Sequence, residues 1–151
     1  MIFRSIFFLI INFTALYLGS ILSGEGGASK WYLSLIRAPW EPNGWVFGAA
    51  WTTIMICFAF YMSVSWKYAL RKKLIKLYIA QLFLNISWNP IFFNFHCVFL
   101  GLITISILTF LIIYIMYSFW KEVKLNSVLI LPYLIWLIIA TSLNGYIFIK
   151  N

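Results

Sequence analysis

The chain alternates between long apolar runs and short polar breaks. A helix that crosses a membrane needs about 20 mostly apolar residues. Five runs reach that length: residues 2–22, 44–66, 74–95, 98–120 and 128–149. The pattern therefore predicts an all-α membrane protein, a five-transmembrane-helix bundle that forms a single domain over residues 1–151.

The first run has two interpretations. It could be a secretory signal that begins with Arg4. Its apolar stretch is longer than the core of a signal peptide, however, and no small-residue cleavage pattern follows it. We therefore expect a retained helix at the start of the bundle.

The longest break is residues 23–43, which contain three glycines and two prolines. This segment also carries Trp31, Tyr32 and Trp40. Aromatic side chains of this kind favour the boundary between lipid and water. We expect the segment to pack at that boundary or to fold over the helix ends.

The composition supports a chain surrounded by membrane lipids. It is 64% hydrophobic and 9% charged, whereas globular chains are roughly 45–50% apolar and about 25% charged. The net charge of +8 is concentrated, because five basic residues fall between the second and third runs: Lys67, Arg71, Lys72, Lys73 and Lys76. This cluster predicts a cytoplasmic loop beside the membrane, and it does not predict nucleic-acid binding.

The basic residues also predict the orientation of the bundle. With five spans, eight of the eleven basic residues fall on the side of the N-terminus and three on the other side. Basic residues accumulate on the cytoplasmic side of membrane proteins. The N-terminus is therefore expected inside and the C-terminus outside.

Several kinds of chemistry are disfavoured by what the runs contain. Ionisable residues occur only at the ends of the runs, whereas proton-coupled transporters need such groups inside the membrane. The sequence offers neither a hydrolytic triad nor paired carboxylates. Cys57, Cys97 and the single histidine, His96, do not make a ligand set, so neither a metal site nor a disulfide is expected.

The third run carries its polar and aromatic residues on one helical face. Gln81, Asn85, Trp88, Asn89 and Phe92 fall at i, i+4, i+7, i+8 and i+11. Amides in hydrocarbon need partners, so this face should point into the bundle. Gln81 and Asn85 fit either hydrogen bonds between helices or a cavity wall, whereas Asn89 and Phe92 favour a cavity lining.

Two other runs present aromatic faces. The second has Phe47, Trp51, Met55 and Phe58 at steps of three or four, and the fifth has Trp136, Ala140 and Asn144 at steps of four. A small residue one turn from a tryptophan leaves space beside the indole. These faces predict a nearly uncharged aromatic cavity that suits a large flat ligand. The tryptophans near the ends of the runs are better explained as an interfacial belt.

Three groups of residues form a family signature. The first is Trp31-Tyr32, residues 37–48 (RAPWEPNGWVFG) and Trp51-Thr52; the second is Gln81-Leu82, Leu84-Asn85, Trp88-Asn89 and Phe92-Phe93; the third is Leu131-Pro132-Tyr133, Trp136, Ala140 and Leu143-Asn144. In order and spacing they resemble the TspO family, the tryptophan-rich sensory proteins related to the mitochondrial translocator protein, or peripheral-type benzodiazepine receptor. The chain departs from the family pattern at Asn43, Ala49, Ile54-Met55 and Phe58-Ala59, which affects ligand specificity more than fold.

The resemblance implies what the chain does. It implies a five-helix bundle, often a homodimer, that binds porphyrins such as protoporphyrin and haem, without a required cofactor. It also implies a place in a membrane, which we expect to be the bacterial cell membrane. Stress sensing, transport and scavenging of the ligand all fit this interpretation.

The resemblance also assigns residues to the site. The implied ligand-binding residues are Tyr32, Pro42, Trp51, Asn89, Phe92, Trp136 and Ala140. Trp51 and Trp136 match tryptophans that the family links to light- and oxygen-dependent porphyrin breakdown, so they are the candidate catalytic residues. Leu143, Tyr146 and Lys150 fit the family's sterol motif, which is a permissive pattern.

Two alternatives to a porphyrin-binding protein stay open from the sequence. One is an enzyme that degrades porphyrin in light. The other is a regulatory membrane partner that has no ligand of its own.

Overall fold

The computed structural model describes residues 2–68 and 70–151, without the side chain of Tyr68. All regular structure in these residues is helical, which confirms the all-α prediction. The long helices are α1 (Ile2–Leu22), α3 (Gly44–Tyr68), α4 (Arg71–Asn89), α5 (Val98–Ser118) and α7 (Leu131–Lys150). The short helices are α2 (Lys30–Ser34) and α6 (Trp120–Val123), and 3₁₀ turns cover Gly26–Ala28 and Lys124–Ile130.

Four helical segments of the described chain are long and apolar enough to cross a membrane. They are Ile2–Ser34, Gly44–Lys67, Val98–Ser118 and Trp120–Lys150. Helix α4 does not meet this measure, because its first six residues include Arg71, Lys72, Lys73 and Lys76. The prediction of a membrane-embedded helical chain is confirmed, and four of its five predicted spans satisfy length and composition.

The predicted basic loop is wrong in its extent. Helix α3 extends to Tyr68 and includes Lys67, and α4 begins at Arg71, so all five basic residues are helical. Helix α4 begins three residues before the predicted third run. Lysine and arginine are good helix formers, and a stretch of them at a helix start continues the helix instead of breaking it.

The long helices pack against one another in pairs that only partly follow chain order. Helix α1 packs on α3 and α4, α5 packs between α4 and α7, and α3 contacts α7. Aromatic and branched side chains fill the centre, among them Phe58, Tyr61 and Tyr133. Large apolar side chains also cover the outside, for example Phe83 and Phe110, which are 70% and 71% exposed. Such a surface suits lipid as the solvent.

Buried amides connect the helices. The Asn12 side chain of α1 donates to the Met55 carbonyl of α3 at 3.0 Å and accepts from the Tyr78 hydroxyl of α4 at 2.7 Å. Gln81 of α4 donates to the Tyr133 hydroxyl of α7 at 2.7 Å. Polar groups removed from water are costly without partners, so these bonds select one arrangement of the four helices. Gln81 thus makes the interhelical bond that the sequence left as one of two alternatives.

The turn between α4 and α5 is short and centred on residues 90–97. A wide π turn covers Pro90–Asn94, and the Phe95 amide donates to the Pro90 carbonyl at 2.8 Å. Proline lacks an N–H group and crowds the preceding turn, which favours this widening. His96 has a φ of 55° and stacks on Trp31, with ring centroids 4.1 Å apart.

Residues 23–43 fold over the end of the bundle where α1 ends and α3 begins, here named the loop end. The Trp40 indole donates to the Ser142 hydroxyl at 3.1 Å. Asn151, after α7, accepts from the Ile36 amide at 2.9 Å and donates to the Ile36 carbonyl at 3.2 Å. Helix α7 therefore holds the long segment across the helix ends.

Candidate functional site

A cavity of about 1120 Å³ lies beneath this segment. Its walls come from α1, α3, α4 and α7, and residues 26–43 form its roof. Small-molecule sites in proteins are typically about 300–1,000 Å³, so this cavity is large enough for an extended organic ligand. Three tryptophans line it: Trp51, Trp88 and Trp136.

Six of the seven residues assigned to ligand binding from the sequence line this cavity. They are Tyr32, Pro42, Trp51, Asn89, Trp136 and Ala140. They come from α2, the segment before α3, α3 itself, α4 and α7, and they are brought together only by the packing of the bundle. Asn85 lines the cavity too, whereas Met55 and Phe58 of the aromatic face of α3 lie deeper, in the core.

Phe92 lies behind the cavity wall. It is 1% exposed and does not belong to the lining. Its ring stacks on Trp88, with centroids 5.4 Å apart and planes 10° apart, and meets Tyr32 at 6.2 Å. Phe92 therefore supports two lining residues from behind. Its direct contact with a ligand stays a prediction.

The aromatic walls are braced by edge-to-face contacts. Trp136 meets Phe47 with centroids 5.1 Å apart and planes 87° apart, and Trp51 meets Tyr133 at 6.0 Å and 72°. Such contacts fix ring orientation beyond what burial alone provides. Ala140 lies one turn after Trp136 and also lines the cavity, so the space expected beside this indole is present.

The α4 wall is polar. The Asn89 side chain donates to the Asn85 carbonyl at 3.1 Å. A Cβ on Gly19 of α1 would lie 2.7 Å from Asn89 Nδ2, so glycine at this position leaves room for the amide. Among the described residues no group accepts a hydrogen bond from the Trp88 indole nitrogen.

The roof brings one ion pair to the cavity. Glu41 Oε1 accepts from the Tyr32 hydroxyl at 3.1 Å and lies 3.4 Å from Arg37 Nη1. Arg37 and Glu41 are the charged residues of the lining that the structure describes. A positive side chain at the edge of an aromatic cavity can pair with an acidic group of a ligand.

Sequence reasoning did not assign Phe47, Trp88, Arg37 or Glu41 to ligand binding. Phe47 and Trp88 carried a signal, because each shares a helical face with an assigned residue. Arg37 and Glu41 lie in the irregular segment, where periodicity gives no information about direction.

The sequence profile of the TspO/MBR family matches residues 7–149. The chain belongs to the TspO/MBR family. It is 32% identical to the tryptophan-rich protein TspO of Chlorobaculum tepidum, over 78% of this chain and 77% of that protein. It is 29% identical to protein CrtK of Rhodobacter capsulatus, over 87% and 88% of the two chains. The human translocator protein is 29% identical, over 89% of this chain and 82% of its own.

Family membership confirms the resemblance and, with the apolar helices, identifies an integral membrane protein. In this TspO/MBR chain the signature residues of the roof, α3, α4 and α7 converge on one cavity. The residues of the sterol motif lie apart from it on α7. Leu143 is 4% exposed and Tyr146 packs against Trp40 at 5.3 Å.

Proposed function

We propose that this TspO/MBR protein binds porphyrins, such as protoporphyrin and haem, in the cavity at the loop end. The observation that carries the proposal is the cavity of about 1120 Å³ lined by Trp51, Trp88 and Trp136. Indoles offer broad, polarisable faces, and a flat aromatic macrocycle is the ligand shape that gains most from them.

The polar groups of the cavity suit the same ligand. A porphyrin such as protoporphyrin carries carboxylates at one edge and is apolar elsewhere. Arg37 at the roof can pair with such a carboxylate, since it is half-exposed beside Glu41 and the Tyr32 ring. Asn85 and Asn89 add polar side chains to the α4 wall. The protein then acts as a stress sensor, a carrier or a scavenger of its ligand.

The membrane arrangement belongs to the proposal. We place α4 across the membrane as the fifth span, because its neighbours α1 and α5 are apolar and long enough to cross. The charge bias then places the N-terminus inside, the loop end outside and the C-terminus outside. The bacterial cell membrane and a homodimer complete the arrangement.

Titration with protoporphyrin tests the proposal. The wild-type protein in detergent should show saturable quenching of tryptophan fluorescence. The double variant Trp51→Phe and Trp136→Phe should bind protoporphyrin about tenfold more weakly, measured by the porphyrin's own absorbance because two indoles are gone. A matched control is Trp45→Phe with Trp120→Phe, two tryptophans that are 74% and 53% exposed. Absence of saturation, or equal affinity in both double variants, would contradict the proposal.

A second candidate function is light-dependent breakdown of the bound porphyrin. Trp51 and Trp136 both line the cavity, where an indole beside a photosensitising macrocycle can give up an electron. Under light and oxygen the wild type should form a distinct product, and the Trp51→Phe and Trp136→Phe variant should not. A yield that merely follows the bleaching of free porphyrin excludes this activity.

Two further roles depend on separate tests. If the protein binds sterol through Leu143, Tyr146 and Lys150, a photoreactive sterol should crosslink to the C-terminal half of α7.

If the protein is a regulatory partner without a ligand of its own, it should still associate with other membrane proteins when larger side chains are substituted into the cavity.

A further inference from the structure

The end of the bundle opposite the loop end, here named the basic end, carries most of the charge. It holds eight basic residues and one acidic residue: Arg4, Lys67, Arg71, Lys72, Lys73, Lys76, Lys121, Lys124 and Glu122. The loop end holds three basic and two acidic residues. A single acid cannot neutralise this group, so the basic end presents a strong positive field at the membrane boundary.

Three of these lysines surround a cleft between α4 and α5. Lys72, Lys73, Lys76, Leu77 and Tyr114 line it, and its volume is about 350 Å³. The Lys73 ammonium donates to the Ser118 hydroxyl at 3.2 Å and lies 5.0 Å from the centre of the Tyr114 ring. Lys73 is thus half-buried and held against α5, and Lys72 and Lys76 are exposed beside it.

An apolar surface continues from the cleft towards the middle of the bundle. On α5, Phe110 and Ile107 lie one and two turns from Tyr114 on the same face, and both are exposed. On α4, Phe83 lies two turns from Lys76 and is exposed as well. The two helices pack against each other. A cationic cleft therefore opens onto apolar surface from two adjacent helices.

We propose that this cleft binds the phosphate headgroup of an anionic phospholipid, whose acyl chains lie along Phe83, Ile107 and Phe110. Lysine ammonium groups pair with phosphate, and clusters of basic residues at the cytoplasmic end of membrane helices attract anionic lipids. The Tyr114 hydroxyl adds a donor at the edge of the cleft.

The combination of features selects a lipid over a soluble anion. A nucleotide or free phosphate would use the lysines and leave the apolar surface beneath them without a role. A phospholipid contacts both surfaces. Its charged headgroup would lie at the lysines, and its acyl chains would extend along the exposed apolar side chains towards the middle of the bundle. The cleft also lies at the depth where α5 ends at Ser118.

Native mass spectrometry of the full chain tests the assignment. The protein is purified in detergent and titrated with phosphatidylglycerol or phosphatidylcholine that carry identical acyl chains. The wild type should retain phosphatidylglycerol about tenfold more tightly. The triple variant Lys72→Gln, Lys73→Gln and Lys76→Gln should lose most of this preference. Inorganic phosphate at millimolar concentration should not displace the lipid.

A matched control carries the same charge change at the same end: Arg4→Gln, Lys121→Gln and Lys124→Gln. It should keep the preference for phosphatidylglycerol. The double variant Lys72→Gln and Lys76→Gln leaves the bond from Lys73 to Ser118 intact, so it tests the cleft even if the triple variant fails to fold. Equal retention of the two lipids by the wild type, equal behaviour of the double and control variants, or displacement by free phosphate would overturn the proposal.

Discussion

The indole of Trp136 meets the ring of Phe47 edge to face, with centroids 5.1 Å apart and planes at 87°. These residues lie on α7 and α3, so their contact sets the separation of two cavity walls. One turn after Trp136, Ala140 leaves the space that the indole borders. The proposed function depends on this space being filled by a ligand.

Enlarging Ala140 should therefore block binding. Ala140→Phe places a ring where the macrocycle would lie, and we expect protoporphyrin affinity to fall at least about tenfold, or about 1.4 kcal/mol. Absorbance titration in detergent measures the affinity. Ile138→Phe is the matched control, because Ile138 is exposed on the outside of α7. Equal affinity of the two variants would mean that the ligand does not occupy the cavity.

An added methyl group at Gly101, where α5 meets the π turn, should destabilise the protein. A Cβ on Gly101 would lie 3.0 Å from Phe92 Cδ2 and 3.2 Å from Phe92 Cβ, which is close to the backbone and cannot rotate away. We expect Gly101→Ala to lower the free energy of unfolding by about 1–3 kcal/mol. Thermal unfolding in detergent measures the change.

Gly145→Ala provides the comparison for Gly101→Ala. Gly145 is also helical, and its added Cβ would meet Leu102 only at 3.9 Å. Removing glycine from a helix stabilises it by roughly 0.5–1 kcal/mol when there is space. A Gly101→Ala protein as stable as the Gly145→Ala protein would show that Phe92 does not press on α5.

Removing the Asn151 side chain should loosen the roof. Its amide group bonds both backbone groups of Ile36 and also donates to the Ile147 carbonyl at 3.0 Å. We expect Asn151→Ala to speed amide hydrogen exchange at Ile36 by up to about tenfold, since a hydrogen bond contributes about 0.5–1.5 kcal/mol. Mass spectrometry of exchanged peptides reports this rate. The control is Asn94→Ala, which changes an exposed asparagine at the same end and should leave the exchange rate at Ile36 unchanged. An unchanged rate in Asn151→Ala would show that other contacts hold the roof.

The fifth span can be tested with the chain's own cysteine. Cys97 is exposed in the turn after α4, whereas Arg71 begins that helix. In a Cys57→Ser background, an impermeant maleimide should label Cys97 in intact cells. Arg71→Cys, with Cys97→Ser, should be labelled only after permeabilisation. Lys30→Cys marks the outer side. Labelling of Arg71→Cys and Cys97 from the same side would show that α4 does not cross the membrane.

Much of the architecture follows from the sequence because its causes are local. The apolar runs locate α1, α3, α5 and α7 to within a few residues, and the amides of α4 predict an inward face. Helix α4 begins earlier than its apolar run, because lysine and arginine lower the hydropathy of a segment but favour the helical conformation. A prediction from hydropathy therefore assigns the basic residues at its start to a loop.

The cavity itself is less local. Periodicity places Trp51, Asn89 and Trp136 on inward faces. It does not determine which residues of such a face line the cavity and which pack behind its wall. Phe92 shares its face with Asn89, yet the widening at Pro90 turns it behind Trp88. The hydrogen bonds from Asn151 to Ile36 join residues 115 positions apart. Neither feature has a signal in the spacing of the chain.

Binding of porphyrin in the cavity can be tested by a structure of the protein determined with protoporphyrin bound, in a lipidic environment. We expect the macrocycle in the cavity at the loop end, in contact with Trp51 and Trp136 and bordered by Ala140, with a carboxylate near Arg37. A macrocycle on the lipid-facing surface of the helices, with the cavity unfilled, would contradict it.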